Sequence, residues 1–197
     1  QPLTFGYHNV WAADISNVGR YLLMMTSQSC LTKRPTTLFS LYRLDMQTLQ
    51  AELLIDKDGF ISGARFSPDG TQVLVSGSPE SLGGIGKNVK EGQTPSMTDG
   101  QLYLLNIADK RVTPLTKDFN PSVQRAVWNK ADGQIYFTAE NRDCYSLYRM
   151  NPADGKILQL EVSEDLVNSF SLAQNAPVMA YCGQGASSSG RFDAMSP

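Results

Sequence analysis

One pattern recurs along the chain, and it limits the fold more than any other feature. Ala13-Asp14-Ile15-Ser16-Asn17-Val18-Gly19-Arg20-Tyr21-Leu22-Leu23 aligns without a gap on Ala64-Arg65-Phe66-Ser67-Pro68-Asp69-Gly70-Thr71-Gln72-Val73-Leu74. A third copy starts at Ala126-Val127-Trp128-Asn129 with one extra turn residue, and a weaker fourth at Phe170-Ser171-Leu172-Ala173. Each copy reads as strand, tight turn, strand, with hairpins over 16–19, 67–70, 129–133 and 173–176. Ser67-Pro68-Asp69-Gly70 suits a type I turn, in which Pro presets φ and Gly takes the positive-φ position. A second motif follows the first: Leu41-Tyr42-Arg43-Leu44-Asp45, Leu102-Tyr103-Leu104-Leu105-Asn106 and Leu147-Tyr148-Arg149-Met150-Asn151, each with a polar turn behind it. From that Asp or Asn to the next hairpin unit the interval is 19 or 20 residues. The link from the hairpin glycine to the Leu-Tyr strand is what varies: 22 residues from Gly19, 32 from Gly70 and 14 from Gly133.

The unit is thus four short strands in about 43 residues, the period of a propeller blade. An even-spaced sandwich does not repeat one residue pattern in phase. The expected fold class is all-β, a β-propeller of four-stranded antiparallel blades. About four blades are expected, over approximately 11–55, 60–116, 122–161 and 166–197. Ala13, Ala64 and Ala126 are expected to face inward, since small residues fit where blades approach. The acidic stretch 162–167 has room for one helical turn at most. Pro2-Leu3-Thr4 precedes the first hairpin by nearly the interval at which Pro114-Leu115-Thr116 precedes the third. Residues 1–4 therefore read as the last strand of a blade, and Arg191-Phe192-Asp193-Ala194-Met195 sits where a Leu-Tyr strand belongs. Either residues 1–4 close a four-bladed ring or the sequence is a portion of a larger propeller. In an open ring, unpaired edges favour association with a second copy of the chain.

Composition removes several function classes. The 197 residues carry 17 Lys+Arg against 19 Asp+Glu, a net charge of −2, with 41% hydrophobic and 18% charged residues. That is too apolar and too weakly charged for a disordered chain. A mildly acidic protein does not grip nucleic acid through its own field. No apolar run approaches the length of a membrane span. Gln1-Pro2-Leu3-Thr4 has neither the charged start nor the apolar stretch of a leader. Cys30, Cys144 and Cys182 allow at most one internal disulfide, and no Cys-x-x-Cys pair suggests zinc.

The Ser67-Pro68-Asp69-Gly70 hairpin resembles the blade repeat of bacterial periplasmic propellers. It also resembles the N-terminal propeller of the prolyl oligopeptidase family of serine peptidases. The nearer resemblance is to the second group, in particular to dipeptidyl-peptidase-like members from Bacteroidetes. It is carried by the stretch from Val75 through Ser78-Pro79-Glu80-Ser81-Leu82-Gly83-Gly84-Ile85-Gly86, by Asp99-Gly100-Gln101-Leu102-Tyr103-Leu104, and by Ile135-Tyr136-Phe137-Thr138-Ala139-Glu140-Asn141-Arg142-Asp143. The resemblance implies a propeller that gates and positions peptide substrate for an α/β-hydrolase domain outside this sequence, in an exported (periplasmic or secreted) protein. The other class is a free-standing periplasmic propeller that binds a protein partner.

A nucleophile elbow needs Gly-x-Ser-x-Gly at a strand-to-helix turn; Gly185-Ala186-Ser187-Ser188-Ser189-Gly190 has the wrong spacing. His8 is the only histidine and has no motif partner. No catalytic residue is therefore expected, and no hydrolysis by this chain alone. Gly83-Gly84-Ile85-Gly86-Lys87 departs from a phosphate loop, with Ser81 where the first Gly belongs and Asn88 after the Lys. Asp56-Lys57-Asp58-Gly59 lacks the Glu of a calcium loop and reads as a link between blades. No metal or cofactor is expected. Glu140, Asn141, Arg142 and Asp143 form the polar cluster of most interest. In the resembled family, propeller acids hold the substrate's free amino group, and a carboxylate suits an ammonium ion. These four are the candidate substrate-binding residues. The variable stretches 27–37, 78–100 and 140–144 are expected on the face that meets a partner, because loops on a rigid scaffold carry binding residues. The Gly-rich 78–100 insertion is expected to be the most mobile of them.

Overall fold

The computed structural model describes residues 9–32 and 34–197. The chain divides into two compact units, Gln1–Lys117 and Asp118–Pro197. Residues 1–4 and His8, and with them the ring-closure expectation, lie outside the described residues.

The first unit holds two four-stranded blades with purely antiparallel strand order. Blade 1 is β1 (Asn9–Ile15), β2 (Tyr21–Ser29), β3 (Thr37–Asp45) and β4 (Ala51–Asp58); blade 2 is β5 (Ile61–Phe66), β6 (Gln72–Gly77), β7 (Gln101–Asn106) and β8 (Val112–Pro114). The second unit holds blade 3, built from β9 (Ser122–Trp128), β10 (Ile135–Asn141), β11 (Cys144–Met150) and β12 (Ile157–Gln159). It also holds blade 4, β13 (Leu166–Leu172), β14 (Met179–Gly185) and β15 (Ser188–Met195). Three blades have the expected four strands; the fourth has three among the described residues. Blade 4 joins blade 3 through one parallel pair, Tyr145 with Leu166, where the Tyr145 N–H donates to the Asp165 carbonyl at 3.0 Å.

The repeated residues make the same local bonds in each copy. Ser16, Ser67 and Asn129 are buried at the hairpin entries. Their N–H groups donate across the turn to the carbonyls of Tyr21, Gln72 and Gln134 at 2.8–2.9 Å. The Ser16 and Ser67 hydroxyls also accept the N–H of Tyr21 and Gln72, each at 2.9 Å. The turns end on Gly19, Gly70 and Gly133 with φ of 69°, 73° and 71°, a region that costs glycine little. Behind each Leu-Tyr strand the carboxylate or amide oxygen closes the next turn. Asp45 Oδ1 accepts from Gln47 and Thr48, Asn106 Oδ1 from Ala108, and Asn151 Oδ1 from Ala153. This side-chain-to-backbone bond two residues on is the reason for Asp or Asn there.

The middle strands are buried along successive residues, so each reads as a continuous apolar run rather than an alternating one. Leu23, Met24 and Met25 of β2, Val73, Leu74 and Val75 of β6, and Ile135, Tyr136 and Phe137 of β10 are all buried. Ala64 and Ala126 are buried and Ala13 is partly buried against the first unit's core. Every first strand carries a register shift against its second strand. Such bulges increase local twist, which strongly twisted blades require.

Candidate functional site

In the second unit, Asn141 pairs with Cys144, so Arg142 and Asp143 are the two-residue tip of the β10–β11 hairpin. Arg142 has φ 60°, the left-handed conformation that short hairpin turns demand and that a non-glycine residue adopts at some cost. Glu140 Oε2 accepts from the Gln124 amide and from the Tyr145 hydroxyl, both at 3.3 Å. Asp143 accepts a weak bond from the Cys144 thiol at 3.7 Å. The four candidate residues are thus brought to one exposed tip, with Glu140 held from two sides.

Cys144 also lines a pocket of ≈ 650 Å³ with Leu160, Val162, Glu161, Glu164 and Asp165. These acids come from the connection between β12 and β13, where the sequence suggested a helical turn. Glu164 is 6% exposed. Its Oε1 accepts the Ser163 hydroxyl at 2.6 Å and lies 3.1 Å from Arg191 Nε. Its Oε2 is buried without a hydrogen-bond donor. Arg191 is in turn held by Asp193 through two bonds at 2.7 and 3.0 Å. Burial, then the carboxylates of Asp143 and Asp165, pushes the Cys144 thiol above its ordinary pKa. That is the opposite of a nucleophilic cysteine, which needs a depressed value. Burial and the nearby Glu164 raise Tyr181 in the same direction.

The matching end of the first unit is built differently. Asp58, at the link from β4 to β5, has both oxygens occupied: Oδ1 accepts from Phe60 and Ile61 at 2.7 and 3.0 Å, and Oδ2 from Leu82 at 2.6 Å. Leu82 belongs to the 78–100 insertion between β6 and β7. The opening part of that insertion is fastened to the blade, contrary to the picture of a loose Gly-rich loop. The Ser78 N–H donates to the Phe60 carbonyl at 3.2 Å, Ser81 is fully buried, and the Tyr103 hydroxyl donates to the Ser78 carbonyl at 2.6 Å. Gly86 lies so close to Tyr103 and Gln101 that a Cβ there would collide with both. The connection 30–36 reaches the same end, since Pro35 lies against Gly59. Trp11, Phe39, Phe60 and Met97 line an apolar recess of ≈ 410 Å³ here. Lys87 pairs with Glu80 at 2.7 Å, so the phosphate-loop look-alike is an internal ion pair. Asp58 likewise serves the link between blades and not a calcium loop.

Glu140, Asn141, Arg142 and Asp143 stand out in the sequence as a polar tip, whereas Glu161, Glu164 and Asp165 are marked there only by the acidic run they belong to. The three cysteines are free. Among the described residues, no His, Cys, Asp and Glu group of three or more is placed to share a metal ion. No helix among them is long and apolar enough to cross a membrane.

The blades define this chain as a β-propeller protein, and solved structures of that fold match it over nearly its whole length. TolB from Acinetobacter baumannii is similar with a TM-score of 0.66 and 15% identity, over 98% of this chain and 42% of TolB. The β-propeller domain of the Trilobed protease from Pyrococcus furiosus is similar with 0.66 and 16%, over 94% of this chain and 48% of that one. An oligogalacturonate lyase in complex with manganese is similar with 0.67 and 11%, over 98% and 50%. The chain spans half or less of the length of these structures. No family model matches the sequence, and no curated protein does. A peptidase propeller is thus among the proteins of this fold, beside propellers of other activities. One fold hosts many functions.

Proposed function

We propose that this chain is the non-catalytic propeller portion of an exported serine peptidase of the prolyl oligopeptidase family. It gates and positions peptide substrate for an α/β-hydrolase domain outside this sequence. The observation that carries the reading is the continuity of the β10–β11 tip with an acid-lined pocket. Cys144 touches Asp143 and lines the pocket that holds Glu161, Glu164 and Asp165. A two-residue tip beside carboxylates is suited to hold a peptide by its polar and cationic groups while chemistry occurs elsewhere. The likeness to the propeller domain of a protease supports the class, and Glu140, Asn141, Arg142 and Asp143 are the residues assigned to substrate contact.

The test starts from the complete reading frame, expected to continue into a Gly-x-Ser-x-Gly hydrolase. Fluorophosphonate should label that full protein and leave residues 1–197 alone unlabelled. Glu140→Gln with Asp143→Asn should raise KM for peptides with kcat little changed, the signature of lost uniform binding. Labelling of a serine within residues 1–197 defeats the reading, as does unchanged KM. The likeness to TolB favours a second reading, a free-standing propeller that binds a protein partner. A reading frame that ends without a hydrolase domain selects it.

A further inference from the structure

We propose that the apolar recess of the first unit binds a neutral aromatic ring, with Trp11, Phe39 and Phe60 as its aromatic walls. At ≈ 410 Å³ it lies within the range of small-ligand sites, roughly 300–1,000 Å³. The walls are formed in advance. Asp58 Oδ1 accepts the Phe60 N–H at 2.7 Å, and the Ser78 N–H donates to the Phe60 carbonyl at 3.2 Å, so both backbone groups of Phe60 are held. Trp11 stands edge-to-face with Phe39, ring centroids 6.0 Å apart and planes at 82°. Met25, also in the lining, is 1% exposed. A site that needs no ordering loses less of its binding energy to that cost. Trp11 and Met97 remain 38% and 59% exposed, so an occupant takes apolar surface of both out of water, the favourable part of the exchange.

The lining selects the occupant. It carries no charged side chain, and its polar side chains are the hydroxyls of Ser62 and Ser78. The neighbouring carboxylate, Asp58, has both oxygens taken by backbone N–H groups, so it is not free to hold a cation. A charged ligand would lose hydration here without gaining a counter-charge. Among neutral groups, a ring gains most. Aromatic pairs in offset or edge-to-face geometry add to what area burial alone gives, and the thioethers of Met25 and Met97 make favourable contacts with ring edges. An aliphatic side chain fills the same volume without either gain. The two hydroxyls can address one polar substituent or an adjoining amide. The chemistry therefore fits a free aromatic alcohol or the aromatic side chain of a peptide.

Binding is measured without hydrolysis, so the outcome is independent of the peptidase reading. Calorimetric titration of the full chain compares benzyl alcohol, Nα-acetyl-phenylalanine methylamide, Nα-acetyl-leucine methylamide and tetramethylammonium. Saturable binding is expected for benzyl alcohol or the phenylalanine compound, and the tighter of the two identifies the source. The leucine compound should bind about fivefold more weakly than the tighter aromatic probe, and tetramethylammonium should not saturate. Met97→Glu changes an exposed residue, leaves the fold intact and should weaken aromatic binding about tenfold by placing a charge in the lining. Trp11→Phe keeps a ring, so the calorimetric affinity should stay within about threefold. The ligand-induced change in tryptophan emission should disappear in that variant, since Trp128, the other tryptophan, belongs to the second unit. Leucine binding as tight as phenylalanine, tetramethylammonium binding more tightly than either aromatic probe, unaltered affinity in Met97→Glu, an emission change retained in Trp11→Phe, or no saturable binding of either aromatic probe overturns the assignment.

Discussion

Asp58 in the first unit and the Glu164–Asp165 pair in the second occupy corresponding places, the link from the last strand of one blade to the first strand of the next. Asp58 receives three backbone N–H bonds, one of them from Leu82 in the long insertion of the following blade. The following blade in the second unit turns from β14 to β15 through two residues, Ala186 and Ser187. That turn returns one backbone bond of 3.4 Å, from Ala186 to Asp165, while Arg191 of β15 lies 3.1 Å from Glu164 Oε1. Glu164 Oε2 is left with none. The length of the neighbouring blade's second-to-third-strand connection thus decides which backbone donors reach the acid: the long one brings Leu82 to Asp58, whereas the two-residue turn brings only Ala186, to Asp165.

The largest expected effects are common to both regions. Leu41 and Leu147, each fully buried at the same place in the repeat, should each cost about 2–5 kcal/mol when changed to Ala. Denaturant unfolding measures this, and a neutral result at either position breaks the equivalence of the blades. Next, Asp58→Ala should cost about 2–3 kcal/mol, because three donors lose a charged acceptor. Asp165→Ala should stay within about 0.5 kcal/mol, as exposed sites do. Equal losses would show that the insertion does not make the difference.

A smaller effect reports on the pocket's charge. The reactive species of a cysteine is the thiolate. With its pKa raised by burial and by Asp143 and Asp165, Cys144 should be alkylated at pH 8 several-fold more slowly than a model-peptide thiol. The rate should still be climbing at a pH where the model thiol has levelled off. Asp143→Asn with Asp165→Asn should speed the reaction, read by site-resolved mass spectrometry. An unchanged rate would remove the carboxylates from the account. The smallest effect is expected at Glu52, which pairs with Arg43 and Lys110 on the first unit's surface. Glu52→Gln should alter stability by less than about 1 kcal/mol, and high salt should erase the difference.

The sequence by itself determined what is made by residues close along the chain. Hairpin ends at Ser16, Ser67 and Asn129 and turn closures at Asp45, Asn106 and Asn151 depend on bonds spanning two to five residues, so their residue types repeat visibly. The apolar runs of β2, β6 and β10 were equally legible, because a strand whose successive residues are buried has no polar side to keep. The tip at Glu140, Asn141, Arg142 and Asp143 could be read for the same reason. The tertiary structure alone decided which acids are satisfied. Leu82 meets Asp58 across 24 residues, and Arg191 meets Glu164 from another strand. Nothing local marks either event, since burial and donor supply are properties of what packs alongside. The run Glu161-Val162-Ser163-Glu164-Asp165 thus carries no local mark of which carboxylate becomes buried, and it is Glu164.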